Sequence, residues 1–351
     1  DNYEIRLGQR RVFWGVTESQ HLVDIINQTD IQEDFDGDPK LGQLMANLAW
    51  IGGYGTLEGF VMPVFREQRY GSIADQKRSR LRAPYPVDDS QPVYTDPDNV
   101  RVRRPDVALR YQHSFNLADG FDLGLHAFKG LAREPRLLVQ PGVVDVKCTL
   151  VGINAPCQPE ILPQTGLDFN LLYEIACRTV ICDITAKFPN LFLTPAYDKI
   201  TQIGIDTQLI WGGFAVKLEA IHQYKPHLDN GQNHVTAATG GLEYTFVGIA
   251  GSSVDYTAAV EYLYDSRGVL DPNSTQAVAQ RRLLRGDTFT ADEARALEFI
   301  KPQTFSAVQN DVFVGGRIAL NNESDTDFRG GVIVDLENKD TIISIEGNHR
   351  I

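Results

Sequence analysis

The residues of this chain best suited to chemistry are a histidine beside a serine, four clustered cysteines, a knot of acids and a run of arginines. His113 and Ser114 are adjacent, so on a strand they point to opposite faces and cannot form one nucleophile–base pair. "GGYG" and "GGRIALNN" sit in strand and turn sequence rather than ahead of helices, so no phosphate loop or dinucleotide fingerprint is present. The expectation is a protein without catalytic residues. Cys148, Cys157, Cys177 and Cys182 fall within one stretch, and their spacings miss the two-residue knuckle of a zinc site. In an oxidising compartment they would staple one long external loop as disulfides, with Cys148–Cys157 and Cys177–Cys182 the pairing that closes the shortest loops; sequence does not choose among the three connectivities.

"DIQEDFDGDPKLG" sets Asp30, Glu33, Asp34, Asp36 and Asp38 around Gly37. Asp34, Asp36 and Asp38 offer alternating oxygen ligands and a glycine bend, as part of a calcium loop does, but the twelve-residue register and closing Glu are missing. An acidic solvated loop is the simpler reading, and no other cofactor is expected. Residues 66–105 run against the acidic trend. There Arg78, Arg80, Arg82, Arg101, Arg103 and Arg104 offer guanidinium forks that match phosphate; the readings are a lipopolysaccharide contact, an anion-attracting mouth, or a solvated loop.

These groups need a scaffold. The chain has 351 residues, 23% of them charged, a net charge of −13 and a mean hydropathy of −0.23. The charge argues against a nucleic-acid partner. No run of eighteen or so apolar residues exists, which excludes a transmembrane helix, but a barrel strand is only half apolar and escapes such averages. Asp1 leads directly into strand-like "YEIRLGQ", with no targeting peptide, as in a mature or trimmed exported chain.

"IDTQLIWGGFAVKLEAIHQY" alternates Ile203, Ile205, Leu209 and Trp211 against Gln202, Gly204, Asp206 and Gln208. It turns at Gly212-Gly213 and resumes with Phe214, Val216, Leu218 and Ala220 against Lys217 and Glu219. Period two means strands, and each arm is long enough to cross a bilayer at a tilt. The plan recurs at 107–127, 242–262 and 312–336, and less cleanly around Gly52-Gly53. Most of the connections between these hairpins are long. The expected fold is all-β: one antiparallel transmembrane barrel of about 12–14 strands over 1–351. Residues 130–196 form its cysteine-bearing external loop, folded over or into the barrel, and 266–306 form an external loop whose stretch 273–300 reads as a helical hairpin. An even strand count puts both termini in the periplasm.

The polar faces would then line the lumen with Arg6, Arg10, Arg110, Asp122, His126, Asp206, Lys217, Glu219, Glu243, Asp255, Glu261, Asp311, Arg317, Arg329, Asp335 and Glu346. A lumen of both signs stays wet and suits small polar solutes rather than long lipids; the bland alternative is charge ladders that merely brace a plugged barrel. "IRLGQRRVFWG" with "INQTD", then "GGLEYTFVGI", "VEYLYDSRG" and "NDVFVGGRIALN", resemble strands of porin-like proteobacterial outer-membrane proteins, a broad uncharacterised family near the alginate-export porins. The resemblance implies a barrel in a Gram-negative outer membrane and brings no catalytic residues. One departure is the ending "EGNHRI", where such barrels carry an aromatic. Expected function is a channel for small polar solutes. The alternative is an anchor barrel whose external loops bind a protein partner or another subunit.

Overall fold

The structure, a computed structural model, describes residues 2–32, 39–71, 76, 87–94, 105–140, 145–150, 182–187, 192–226, 233–267, 308–337, 339 and 341–350. Its strands are β1 (Tyr3–Arg10), β2 (Gln43–Gly52), β3 (Gly55–Met62), β4 (Val93–Tyr94), β5 (Asp106–Phe115), β6 (Gly120–Leu131), β7 (Arg136–Gln140), β8 (Asp145–Leu150), β9 (Cys182–Lys187), β10 (Phe192–Tyr197), β11 (Lys199–Trp211), β12 (Phe214–Tyr224), β13 (His234–Phe246), β14 (Asp255–Asp265), β15 (Asn310–Ala319), β16 (Asp327–Asp335) and β17 (Thr341–Asn348).

Twelve of these make one antiparallel sheet in the order β1-β2-β3-β5-β6-β11-β12-β13-β14-β15-β16-β17. Each hairpin expected from alternation is present, with the register Ile205↔Ala220 and Trp211↔Phe214 in the first one read. No ladder joins β1 to β17, so the sheet is not closed. It nevertheless curls. Residues of the β1–β2 connection touch β3, β6, β12 and β14 on one face, and Arg267 after β14 reaches Glu134 after β6 at 3.3 Å.

The two faces differ as lipid and interior would. On the convex face, Ile5, Leu48, Leu109, Leu218, Val260 and Val314 are 41–71% exposed, an apolar band of the kind that marks a membrane or protein contact. Near the short turns this surface carries a girdle of rings. Phe115 lies 5.6 Å from Phe121, Phe214 lies 4.6 Å from Tyr244, and Tyr244 meets Phe246 at 4.7 Å. Trp50 and Trp211 stand beside their turns on the same face. Such a girdle belongs at a membrane–water interface.

On the rim opposite the short turns a three-stranded sheet, β4-β10-β7, packs Phe65, Val87, Leu193, Ala196 and Tyr197 into a small core. β8 and β9 pair with each other rather than adding strands to the large sheet; Cys148 stands opposite Ile184 and Cys182 opposite Leu150. The expected disulfide bridges, the calcium ligands Asp34, Asp36 and Asp38, the arginines Arg78, Arg80, Arg82, Arg101, Arg103 and Arg104, and the helical stretch 273–300 lie outside what is described.

Candidate functional site

The concave face of the sheet holds the site, and the chain itself fills much of it. Leaving β1, residues 11–32 run along the concave face, and 39–41 lead into β2. Their apolar residues Trp14, Val23, Ile25 and Ile26 are buried against the inward side chains Met45, Phe60, Phe128, Ile200, Ile221 and Ala237. Asn27 ties the two ends of this segment together. Its Nδ2 donates to the carbonyls of Arg10 and Leu41, both at 2.9 Å, and its Oδ1 accepts from Val12 N–H at 2.8 Å.

Two strand carboxylates hold the segment's tip. Glu219 Oε1 accepts from Val16 N–H at 2.7 Å and Thr17 N–H at 3.0 Å, and its Oε2 accepts from Val23 N–H at 3.2 Å. Thr17 Oγ1 lies 2.8 Å from the same carboxylate and 2.6 Å from the Gln20 carbonyl, so its one proton serves one of them at a time. Glu261 takes the next two amides, Glu18 N–H at 2.7 Å and Ser19 N–H at 2.8 Å, together with the Ser19 hydroxyl. Lys217 donates back to the Glu18 carboxylate at 2.6 Å and to Glu243 at 2.5 Å. Glu219 is 0% and Glu261 2% exposed. A carboxylate this deep requires its donors, and here the segment's backbone supplies them. Gly15 makes the approach possible, since a Cβ there would stand 2.9 Å from Glu219 Oε1 and the residue's φ is +142°.

Beside the latch, Arg110 on β5 forms a two-pronged pair with Asp206 on β11, at 2.9 and 2.8 Å. It reaches across β6 because position 124 is glycine; a Cβ there would lie 2.4 Å from Asp206 and 2.7 Å from Arg110. The guanidinium also covers the Trp14 ring at 4.9 Å, while His126 sits 5.3 Å from that ring and 2.9 Å from Gln202 Nε2. Toward the rim, Arg133 donates to Asp106 at 2.7 Å and to the Ile26 carbonyl at 3.0 Å, between the rings of Phe65 and Phe128. Gln28 donates to the Arg133 carbonyl at 2.6 Å. Inside the segment, burial raises the Asp24 carboxyl above its usual value, and Lys40, 3.2 Å away, offsets this only in part.

The candidate lining residues all lie on the enclosed face, in two groups. Arg110, His126, Asp206, Lys217, Glu219, Glu261, Asp311 and Asp335 are buried, most of them beneath the segment or at the rim. Asp311 and Asp335 stand opposite each other in register, each accepting a backbone N–H, from Gln309 at 2.6 Å and Glu337 at 2.7 Å. The second group is less buried and, Arg10 apart, lies toward the short turns; Arg10 sits where β1 leads into the interior segment. Arg6 pairs with Glu4, Asp122 with Ser114, and Arg10 donates to Asn47 at 3.1 Å. Arg317 and Arg329 share Asp327 at 3.1 and 3.4 Å, Glu346 lies opposite Arg329 in register, Glu243 holds Lys217, and Asp255 accepts from Gly248 N–H at 2.9 Å. Among the described residues the concave face is therefore covered toward the long connections and uncovered toward the turns. A cover was expected from the cysteine-bearing loop; among the described residues the filling comes from the β1–β2 connection. Sequence reasoning passed over Trp14, Asp24, Asn27 and Gln28. The signal was there in "HLVDIINQ", too apolar for a connection in water.

His113 and Ser114 part as adjacent strand residues must. His113 points outward, stacked on Tyr111 and edge-on to Phe115, and Ser114 turns inward. Among the described residues no group of three or more potential metal ligands is found. No family model and no curated protein matches the chain. Among solved structures it is similar to the P. putida toluene transporter TodX at 8% identity, over 99% of this chain and 84% of that one, with a TM-score of 0.22. A superposition this loose carries no argument about fold or cargo.

Proposed function

We propose that the chain closes into a β-barrel in the bacterial outer membrane and serves as a channel for small polar solutes, with residues 11–32 as its gate. One observation carries the reading: the gate's tip is held by hydrogen bonds to Glu219, Glu261 and Lys217. Such bonds exchange for bonds to water at a modest net cost of about 1–3 kcal/mol each. The outward apolar band and ring girdle support the membrane location, and the charged enclosed face supports a polar cargo. On this reading the short turns and both termini are periplasmic. The arginines of 66–105 face lipopolysaccharide phosphates, the cysteines brace an external loop, and calcium is at most a structural ion of the 30–38 loop. We assign the chain no catalytic step and no nucleic-acid partner.

The test is a planar-bilayer recording of the purified protein and of a variant with residues 16–22 replaced by glycine and serine. The parent should sit mostly shut, and the variant, still heat-modifiable as a folded barrel, should conduct several-fold more. A folded variant that conducts no better would make the segment a permanent brace. The barrel would then be an anchor whose external loops bind a partner or another subunit.

A further inference from the structure

The gate's tip is a peptide bound in a site made by the barrel wall, and that site has its own preferences once the tip leaves. Consecutive amides, Thr17 N–H and Glu18 N–H, go to different carboxylates, Glu219 and Glu261. The two acceptors thus meet donors that are adjacent along the chain. Lys217 answers the one carboxylate the tip presents, that of Glu18. With the tip gone, one ammonium, Lys217, would stand among three carboxylates, Glu219, Glu243 and Glu261. Such a place rejects simple anions and leaves two deep carboxylates in want of N–H donors. A neutral sugar offers hydroxyls but no positive charge. An amino compound with one carboxylate supplies both halves, N–H groups for Glu219 and Glu261 and an acceptor for Lys217.

We propose that the latch, when vacated, is a binding subsite for zwitterionic amino compounds, amino acids and short acidic peptides, and that the gate occupies it as a tethered mimic of that cargo. The inference rests on the gated-channel reading and names the class of solute recognised.

The full chain with residues 16–22 replaced by glycine and serine is the protein to test, with the C-terminally amidated tetrapeptide Val-Thr-Glu-Ser, which carries one carboxylate, as probe and a neutral disaccharide as control. Calorimetry in detergent reads binding whether or not the passage opens, and the bilayer current reads block. The peptide should bind and reduce the current where the disaccharide does neither. Adding Glu261→Gln or Lys217→Met should weaken binding tenfold or more in chains that remain heat-modifiable. A variant that conducts but binds no peptide overturns the subsite and leaves the gate intact. Peptide binding unchanged by both substitutions, or equalled by the disaccharide, also overturns it. A variant that binds the peptide yet stays shut upholds the subsite and overturns the gate.

Discussion

At the scale of single residues, the interior is organised by carboxylates whose donors come from elsewhere in the chain. Glu219 and Glu261 take amides, Asp206 takes a guanidinium, and Asp106 takes another. Asp24 is the exception with a consequence for pH. Burial raises its carboxyl, with Lys40 only partly opposing, so its folded value exceeds the unfolded one. The stabilisation then belongs to the neutral acid. It is fully present below the unfolded value of about 3.9 and is lost as pH rises through the folded value. Asp24→Asn keeps an acceptor for Trp14 N–H and removes the cost of a buried charge. Thermal melts of variant and parent should show the variant gaining at pH 7, with the gain shrinking as pH falls through the folded value and levelling off by about pH 4. A constant difference across that range would show that Asp24 does not titrate on folding.

At the scale of elements, a membrane barrel makes each strand separate two solvents, so on that reading neighbouring positions should answer differently to the same charge. Leu218→Arg or Val260→Arg, at outward positions near mid-strand, should destabilise the folded barrel by roughly 2–4 kcal/mol, as a cation at the bilayer midplane does. Gln208→Arg, inward in the open half, should cost little. Alternation alone would choose Glu219→Arg as the harmless control, but Glu219 is fully buried and holds the amides of Val16 and Thr17, so that substitution would strand those amides and add a cation to the face that carries Lys217. Urea titrations in lipid vesicles would decide. Equal costs at Leu218 and Gln208 would deny that the two faces see lipid and water.

At the scale of the whole molecule, the exposed belt, the ring girdle by the turns and the packed rim opposite define an axis. If that axis crosses the outer membrane with turns inward, a cysteine at Glu323, in the β15–β16 turn, should escape an impermeant thiol reagent on intact cells. One at Ser90, exposed beside the rim sheet, should label. The four native cysteines must first be replaced or shown silent. Labelling at Glu323 on intact cells would reverse the orientation.

The strands themselves were legible because their signal is local. Ile203, Ile205, Leu209 and Trp211 alternate against Gln202, Asp206 and Gln208 whatever the rest of the chain does, and a period of two allows only one backbone. The inward placement of Arg110, Lys217 and Glu261 followed from the same rule. What only the tertiary structure decided is what those side chains meet. Glu219 lies some two hundred residues from the amides it accepts, and no period or spacing links positions so distant. Gly124 reads in sequence as a weak point in a strand; only three neighbouring strands in register reveal it as the gap through which Arg110 reaches Asp206. Trp14 and Ile26 likewise sit in a stretch without strand alternation, and nothing local distinguishes a connection on the surface from one that turns inward. That choice was made by the curl of the sheet, which left a concave face of charged and apolar side chains for the chain's own residues 11–32 to cover.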